Sequence, residues 1–196
     1  QYSTWQRSLL PGLRQCGLQV IADHEELNTE QARYVDQYFV ENVYPVLTPM
    51  AVDSSRPFPL IVNKTLNLGA LLKKKNEEDS ELEFATVQVP AVLPRIIPIP
   101  SVEKNVKSVI LLEEMIARNM SQLFLSYDVL CAHSYRIMRN ADLTIDEDEA
   151  SDLLKEIQKQ LKKRQWGEVI RLEVDEKTDK RLLKILKREF EIKEDS

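Results

Sequence analysis

The chain has 196 residues, enough for one domain of ordinary size, or slightly more, with a core that needs no disulfide or metal to hold it. A net charge of −5 disfavours nucleic-acid binding, and no apolar run approaches the roughly 18 residues that span a bilayer. Two cysteines in unlike contexts favour a reduced, cytoplasmic protein. The chain begins at Gln1 without a methionine and ends in a charged tail, so we expect a piece of a longer protein.

The first third of the chain predicts two helices followed by a proline-rich segment. Residues 2–15 are typical of a helix or helix end that a proline-glycine pair interrupts. Asn28, with Gln31 three residues later, predicts a capped helix that ends at Pro45. Four prolines between residues 45 and 62 exclude a helix or a central strand, and the apolar content predicts an ordered loop packed on the body.

The middle of the chain predicts a hairpin and an edge strand. Residues 65–72 alternate apolar side chains with an asparagine and a glycine, which is typical of a half-buried strand. The charged run over 73–81 is a solvated turn, and residues 82–89 return as the second arm of the hairpin. Residues 90–100 contain four prolines and suit an edge strand or extended segment.

A strand over 107–112 is predicted to lead into a short helix over 113–120. The strongest strand of the chain covers residues 127–138. Strict alternation predicts that five of its residues share one core-facing side. These residues are Val129, Cys131, His133, Tyr135 and Ile137.

The last third of the chain predicts a helix, a strand and a helix. Residues 148–165 carry an apolar stripe, and Gly167 follows as a C-cap. Residues 169–174 predict a strand that buries its alternate apolar residues, and residues 178–190 predict an amphipathic helix. The residues predicted to be buried in that strand are Ile170, Leu172 and Val174. We therefore expect an α+β fold, with a mixed or antiparallel sheet with hairpins packed against several amphipathic helices.

Only four glycines occur, which limits the chemistry of the chain: Gly12, Gly17, Gly69 and Gly167. Their spacing excludes both a dinucleotide fingerprint and a Walker loop, so any phosphate must be bound by side chains. Cys131 and His133 share a strand face, but their apolar neighbours favour a place in the core. The remaining soft ligands, Cys16 and His24, match no zinc spacing. No catalytic or metal-binding residue is predicted from these patterns.

Arg136 and Arg139 lie at the end of the strongest strand and face opposite sides if that strand stays regular. A guanidinium there can hold phosphate oxygens or pair with a carboxylate of another domain. An internal ion pair with Asp146 or Asp148 is an equal alternative. The carboxylates over 146–152 themselves are typical of the start of a helix, where the dipole favours negative charge.

Several quoted stretches resemble the head, or middle, domain of bacterial polyphosphate kinase, and the resemblance runs over nearly the whole chain. They are "LTPMAVDSSRPFPLIVNKTLNLGALL", "FATVQVPAVLPRIIPIP", "YRIMRNADLTIDEDEASDLL" and "RLEV". Two departures are visible: Met138 stands where a threonine is common, and "FLSYDV" lacks a Pro-Gly pair often seen there.

The resemblance implies that residues 1–196 form the head domain, with residues 1–16 linking from an N-terminal helical domain. The longer enzyme would transfer the terminal phosphate of ATP reversibly to polyphosphate through a phosphohistidine carried by further C-terminal domains. ATP and Mg²⁺ would be cofactors of that enzyme and not of this fragment. The fragment alone is then expected to be inactive.

The resemblance also implies a homodimer contact through this domain and a wall for the polyphosphate passage. Arg136, Arg139 and Asn140 are predicted to face that passage or another domain of the same chain. A cytoplasmic location is expected, with peripheral membrane association as an alternative. The rival hypothesis is an independent small phosphohistidine enzyme that uses His133.

Overall fold

A computed structural model describes residues 4–52, 58–77, 81–140 and 167–192 of the chain. The predicted helix over 148–165 and the alternative partners Asp146 and Asp148 lie outside the described residues. Strands and helices mix without strict alternation, which confirms the α+β class.

The strands form two sheets. The larger sheet is antiparallel and has five strands, in the order β2 (Pro49–Val52), β4 (Glu83–Gln88), β3 (Leu66–Lys74), β7 (Tyr127–Arg139) and β8 (Val169–Val174). The smaller sheet is mixed and has three, in the order β1 (Leu18–Ile21), β6 (Lys107–Leu111) and β5 (Ile96–Ile99). Within it, β1 runs parallel to β6, whereas β5 runs antiparallel. The predicted hairpin is confirmed as the β3–β4 pair.

Five α-helices are described: α1 (Leu10–Gln15), α2 (Thr29–Tyr38), α3 (Leu112–Arg118), α4 (Met120–Leu123) and α5 (Lys180–Glu189). Asn28 and Gln31 form the predicted capping box at the start of α2. The predicted end at Pro45 is revised. The α-helix gives way to a π-helical turn over Phe39–Val43, and a 3₁₀ turn over Tyr44–Val46 continues past Pro45. Pro11 does not interrupt α1, because it lies in the first turn, where no backbone N–H is needed.

The proline-rich segment is more regular than predicted. Its described part contains an edge strand, β2, over Pro49–Val52, which pairs with β4. An edge position tolerates a proline because one side of the strand needs no ladder bonds. The segment 90–100 likewise contains the edge strand β5, as expected.

Two apolar clusters cover opposite faces of the larger sheet. The first cluster joins α2, α3 and both sheets, and includes Val35, Phe39, Leu68, Ala70, Leu72, Ala85, Ile110 and Met115. The second cluster lies under α5, and includes Leu71, Phe84, Tyr135, Ile137, Leu182, Leu186 and Phe190. Successive residues of β3 belong to different clusters, so this central strand is buried on both faces and not half-buried as predicted.

A hydrogen bond across three strands fixes the centre of the second cluster. The Tyr135 hydroxyl lies 2.7 Å from the Thr86 hydroxyl, although β3 separates their strands. The ring passes Gly69, where a Cβ atom would lie 3.3 Å from Tyr135 Cε1 and 3.2 Å from Phe84 Cε2. Burial raises the pKa of the Tyr135 phenol strongly, and the Thr86 bond opposes that shift only in part.

Asp179 caps α5 with an ionised carboxylate, so part of the stability of this helix is lost at acid pH. Its side chain pairs with the Arg181 guanidinium at 2.8 Å and also accepts from the Arg181 backbone N–H at 2.8 Å, and these bonds lower the pKa of the carboxyl from 3.8 to about 2. A depressed carboxyl pKa stabilises the fold above the unfolded value, and this contribution disappears as the pH falls toward 2. Asp179→Asn keeps the cap but removes the ion pair.

We expect Asp179→Asn to melt below the parent chain at neutral pH, with the difference shrinking between pH 4 and pH 2. Melting curves over this range measure it. Asp128→Asn is the matched control, because Asp128 is exposed and makes no ion pair among the described residues. A difference that stays constant down to pH 2 would contradict the expectation.

Candidate interaction site at the end of the longest strand

Two β-bulges decide which side chains β7 and β8 present. The β3–β7 register passes from Leu71 opposite Cys131 to Leu72 opposite Val129, which leaves Leu130 as the extra residue. Val129 therefore packs with Ala132 on the first cluster, while Cys131 packs on the second. The predicted single face over Val129 to Ile137 is wrong at Val129 for this reason.

The second bulge has the same effect on β8. The β7–β8 register passes from Met138 opposite Arg171 to Arg139 opposite Val169, so Ile170 is extra. Ile170 is 60% exposed, and Val174 at the other end of the strand is also exposed. Of the three residues predicted to be buried, Leu172 alone packs on the second cluster, where it is joined by Val169.

Arg139 is a clamp between three parts of the chain. Its Nη1 donates to the Gly167 carbonyl at 3.0 Å, while Nε and Nη2 donate to the Ile61 carbonyl at 3.4 and 3.3 Å. Its backbone N–H donates to Asn63 Oδ1 at 3.0 Å. Burial lowers the pKa of the guanidinium, and no carboxylate pairs with it among the described residues. The clamp ties the segment after β2 to β7 and to the start of β8.

Arg136 lies on the opposite face, as the regular spacing of β7 predicts. It stands between Leu66 of β3 and Glu173 of β8 in the sheet. Glu173 is already paired with Arg171 at 3.1 Å, and the Arg136 side chain makes no hydrogen bond or ion pair within the described part of the chain. Asn140 is exposed, and its backbone N–H donates to the Glu168 carbonyl at 2.8 Å. The two predicted arginines thus differ: one holds backbone carbonyls, and the side chain of the other has no hydrogen-bond or ion-pair partner among the described residues.

Cys131 and His133 share a face but not an environment. Burial raises the pKa of the Cys131 thiol, which packs on the second cluster. His133 is half-buried, belongs to neither cluster, and has no hydrogen-bond partner among the residues described. The predicted core position of His133 is therefore wrong. No described residue forms a hydrogen bond that would fix the orientation of its ring.

Sequence reasoning missed a group of polar side chains near the end of β1. Glu114 Oε2 lies 3.0 Å from His24 Nδ1 and also accepts the His24 backbone N–H at 3.3 Å. Asp23 Oδ2 accepts from Lys177 Nζ at 3.0 Å. The Glu114 hydrogen bond raises the pKa of His24, whereas the Glu25 N–H and the Lys177 ammonium lower that of Asp23. No local motif predicts this group, because 90 residues separate His24 from Glu114.

The group opens onto a cleft of about 940 Å³ between the 3₁₀ turn at His24–Glu26, α3 and β7. The cleft wall carries more acidic than basic side chains. The acids are Asp23, Glu25, Glu26, Glu113, Glu114 and Asp175, and the bases are His24, Arg118, His133 and Lys177. A surplus of carboxylates in a cleft attracts cations.

The class of the chain follows from these features: an α+β domain built on a five-stranded antiparallel sheet and a smaller mixed sheet. A sequence profile of the polyphosphate kinase middle domain matches residues 30–196. The chain belongs to the polyphosphate kinase middle domain family. The resemblance found in the sequence is thereby confirmed.

Curated relatives agree with this assignment. Polyphosphate kinase of Bacillus anthracis is 44% identical over 198 residues, covering 100% of this chain and 28% of that protein. Polyphosphate kinase of Lactiplantibacillus plantarum is 48% identical over 180 residues, covering 92% of this chain and 24% of that protein. The chain therefore spans about a quarter of the length of these relatives.

The fold also has a solved counterpart. The crystal structure of polyphosphate kinase from Porphyromonas gingivalis superposes with a TM-score of 0.75 at 22% identity, covering 98% of this chain and 26% of that chain. This likeness concerns the fold alone. Within the described ranges, no helix is both long and apolar enough to cross a membrane.

Proposed function

We propose that the chain is a non-catalytic part of a polyphosphate kinase, and that it supports dimerisation and the passage of polyphosphate. Family membership carries the proposal, together with the quarter of the relatives' length that the chain spans. In the longer cytoplasmic enzyme, the terminal phosphate of ATP would pass reversibly to polyphosphate through a phosphohistidine outside this chain. ATP and Mg²⁺ would be bound there as well.

The four glycines, all of which lie in the described part of the chain, do not form a glycine-rich phosphate loop. Gly12 lies in α1, Gly69 lies in a central strand, and Gly17 and Gly167 occupy separate left-handed positions. Phosphoryl transfer depends on cations and N–H donors gathered around the transferred group, and these glycines form no such loop. The lack of such a loop favours a non-catalytic role for this chain, with the phosphoryl transfer carried out by other domains.

The expected result is therefore that the purified chain neither makes polyphosphate from ATP nor takes up label from γ-labelled ATP. The assay follows polymer by gel and protein-bound label by autoradiography, with the longer enzyme as the positive control. The rival hypothesis makes the opposite prediction: label on the chain that is lost in His133→Ala would sink the supporting role. Cys131→Ala is a control on the same strand face.

The dimer contact is proposed for the described parts of segment 45–62. Leu60 is 50% and Val62 44% exposed, while Ile61 between them is buried. Exposed apolar side chains in such a run are typical of a contact surface. The Arg139 clamp on the Ile61 carbonyl holds this run in place, so little entropy is lost when a partner docks.

We expect the longer protein to be a dimer that Leu60→Asp weakens by about tenfold or more, because a charge would be buried in the contact. Sedimentation equilibrium measures the mass. Val92→Asp is the matched control, since Val92 is 81% exposed and lies far along the chain from this segment. A dimer that tolerates Leu60→Asp as well as Val92→Asp would move the contact to other domains.

A further inference from the structure

We propose that Asp23, His24 and Glu114 form a binding site for a divalent transition-metal ion of the Zn²⁺ type. One nitrogen and two oxygen donors meet here: a ring nitrogen of His24, a carboxylate oxygen of Asp23 and a carboxylate oxygen of Glu114. These ligand atoms lie within 4.8 Å of one another. Neighbouring ligands in a tetrahedral zinc site lie about 3.3 Å apart, given bonds of about 2.0–2.1 Å. Small rotamer changes would close that gap.

The donor set selects the class of ion. Imidazole together with carboxylate suits Zn²⁺, whereas Mg²⁺ prefers oxygen ligands and keeps its water. His24 Nδ1 lies 3.0 Å from the accepting Glu114 Oε2, so the ion would replace the proton on Nδ1 and leave the imidazole proton on Nε2. The acidic cleft beside the three ligands leaves room for a water molecule in the fourth position.

A cationic side chain already lies beside this group. Lys177 reaches from the turn between β8 and α5 and places its ammonium 3.0 Å from Asp23 Oδ2, across 154 residues of sequence. The other oxygen, Asp23 Oδ1, accepts the Glu25 N–H and caps the 3₁₀ turn. Asp23 can therefore exchange the ammonium for a metal ion at Oδ2 without losing its cap.

Both carboxylates are also oriented before any ion binds. The His24 backbone N–H holds Glu114 Oε2, and the Glu25 N–H holds Asp23. All three side chains are between one fifth and one third exposed, which leaves them accessible from the cleft. Among the described residues, this is the one group of three or more His, Cys, Asp and Glu side chains whose candidate ligand atoms all lie within 4.8 Å of one another.

The test titrates Zn²⁺ calorimetrically into the 196-residue chain carrying Cys16→Ser, because the exposed Cys16 thiol also attracts zinc. We expect one ion per chain. Asp23→Asn, His24→Gln and Glu114→Gln should each weaken binding by about tenfold or more. Glu26→Gln removes a carboxylate from the same cleft wall and should leave the affinity unchanged.

Lys177→Met gives a test that keeps all three ligands. Removing the competing ammonium should tighten zinc binding by about two- to fivefold, the worth of one exposed ion pair. Lys184→Met is the control, because it removes the same charge from an exposed position on α5. The proposal is overturned if the parent chain shows no saturable binding, if the ligand variants bind like the parent, or if Lys177→Met binds like Lys184→Met.

Discussion

Gly69→Val is expected to lower the free energy of unfolding by about 3 kcal/mol, because the core has no room for its side chain. A Cβ atom added at this position would lie 3.2 Å from the Phe84 ring and 3.3 Å from the Tyr135 ring, and valine adds two methyl groups beyond it. Neither ring can retreat. Phe84 stacks on Phe58 at 5.0 Å, and the Tyr135 hydroxyl is bound to Thr86.

Urea unfolding of the chain measures this loss. Gly12→Ala is the control with the opposite sign, because a Cβ at Gly12 meets nothing within 4 Å and the residue lies inside α1. Alanine should gain about 0.5–1 kcal/mol there through its higher helix propensity. If Gly69→Val were as stable as the parent, the ring packing described here would be wrong.

Arg139→Ala is expected to lower the free energy of unfolding by about 1–2 kcal/mol, because it leaves the Ile61 and Gly167 carbonyls without their donor. Thermal melting of the chain and of the longer enzyme measures the loss. An unchanged melting temperature would show that the clamp contributes nothing to stability.

Arg136→Ala separates the polyphosphate role from the structural one. Its guanidinium makes no ion pair among the described residues, so we expect an unchanged melting temperature and shorter polyphosphate chains from the longer enzyme. Under the proposed function, the variant would lose a cation that binds phosphate oxygens weakly and repeatedly. Product length on a gel is the readout. Normal chain length from Arg136→Ala would discard the passage role for this residue.

The local elements of the fold could be predicted because their signals lie within a few residues. Asn28 and Gln31 predicted the capped helix, and the alternation of apolar and polar residues on either side of the charged turn predicted the β3–β4 hairpin. Residues 178–190 gave the helix α5 in the same way. In each case the side chains that set the structure are neighbours in sequence.

Two of the errors, at Val129 and Ile170, have a common physical cause in the two bulges. An extra residue at Leu130 and another at Ile170 reverse the in-and-out alternation of their strands, so period-2 reasoning assigns Val129 and Ile170 to the wrong side. Hydrophobicity gives no hint, because leucine and isoleucine are typical core residues. Here Leu130 is 42% exposed.

The candidate sites divide in the same way. Arg136 and Arg139 could be named from sequence because they end a strong strand, but only the contacts show that Arg139 holds backbone carbonyls while Arg136 has no side-chain partner among the described residues. The Asp23, His24 and Glu114 group was beyond reach. It depends on the pairing of β1 with β6, which brings residue 24 beside residue 114.

The parallel pairing of β1 with β6 also sets an order of events during synthesis. Leu18 lies opposite Lys107, so β1 cannot pair with β6 until about 90 further residues have left the ribosome. The β3–β4 hairpin needs no such delay, since its arms adjoin in sequence. Loop closure over a long separation is slow. In the growing chain the larger sheet therefore gains its central hairpin while the apolar residues of β1 are still waiting for a partner.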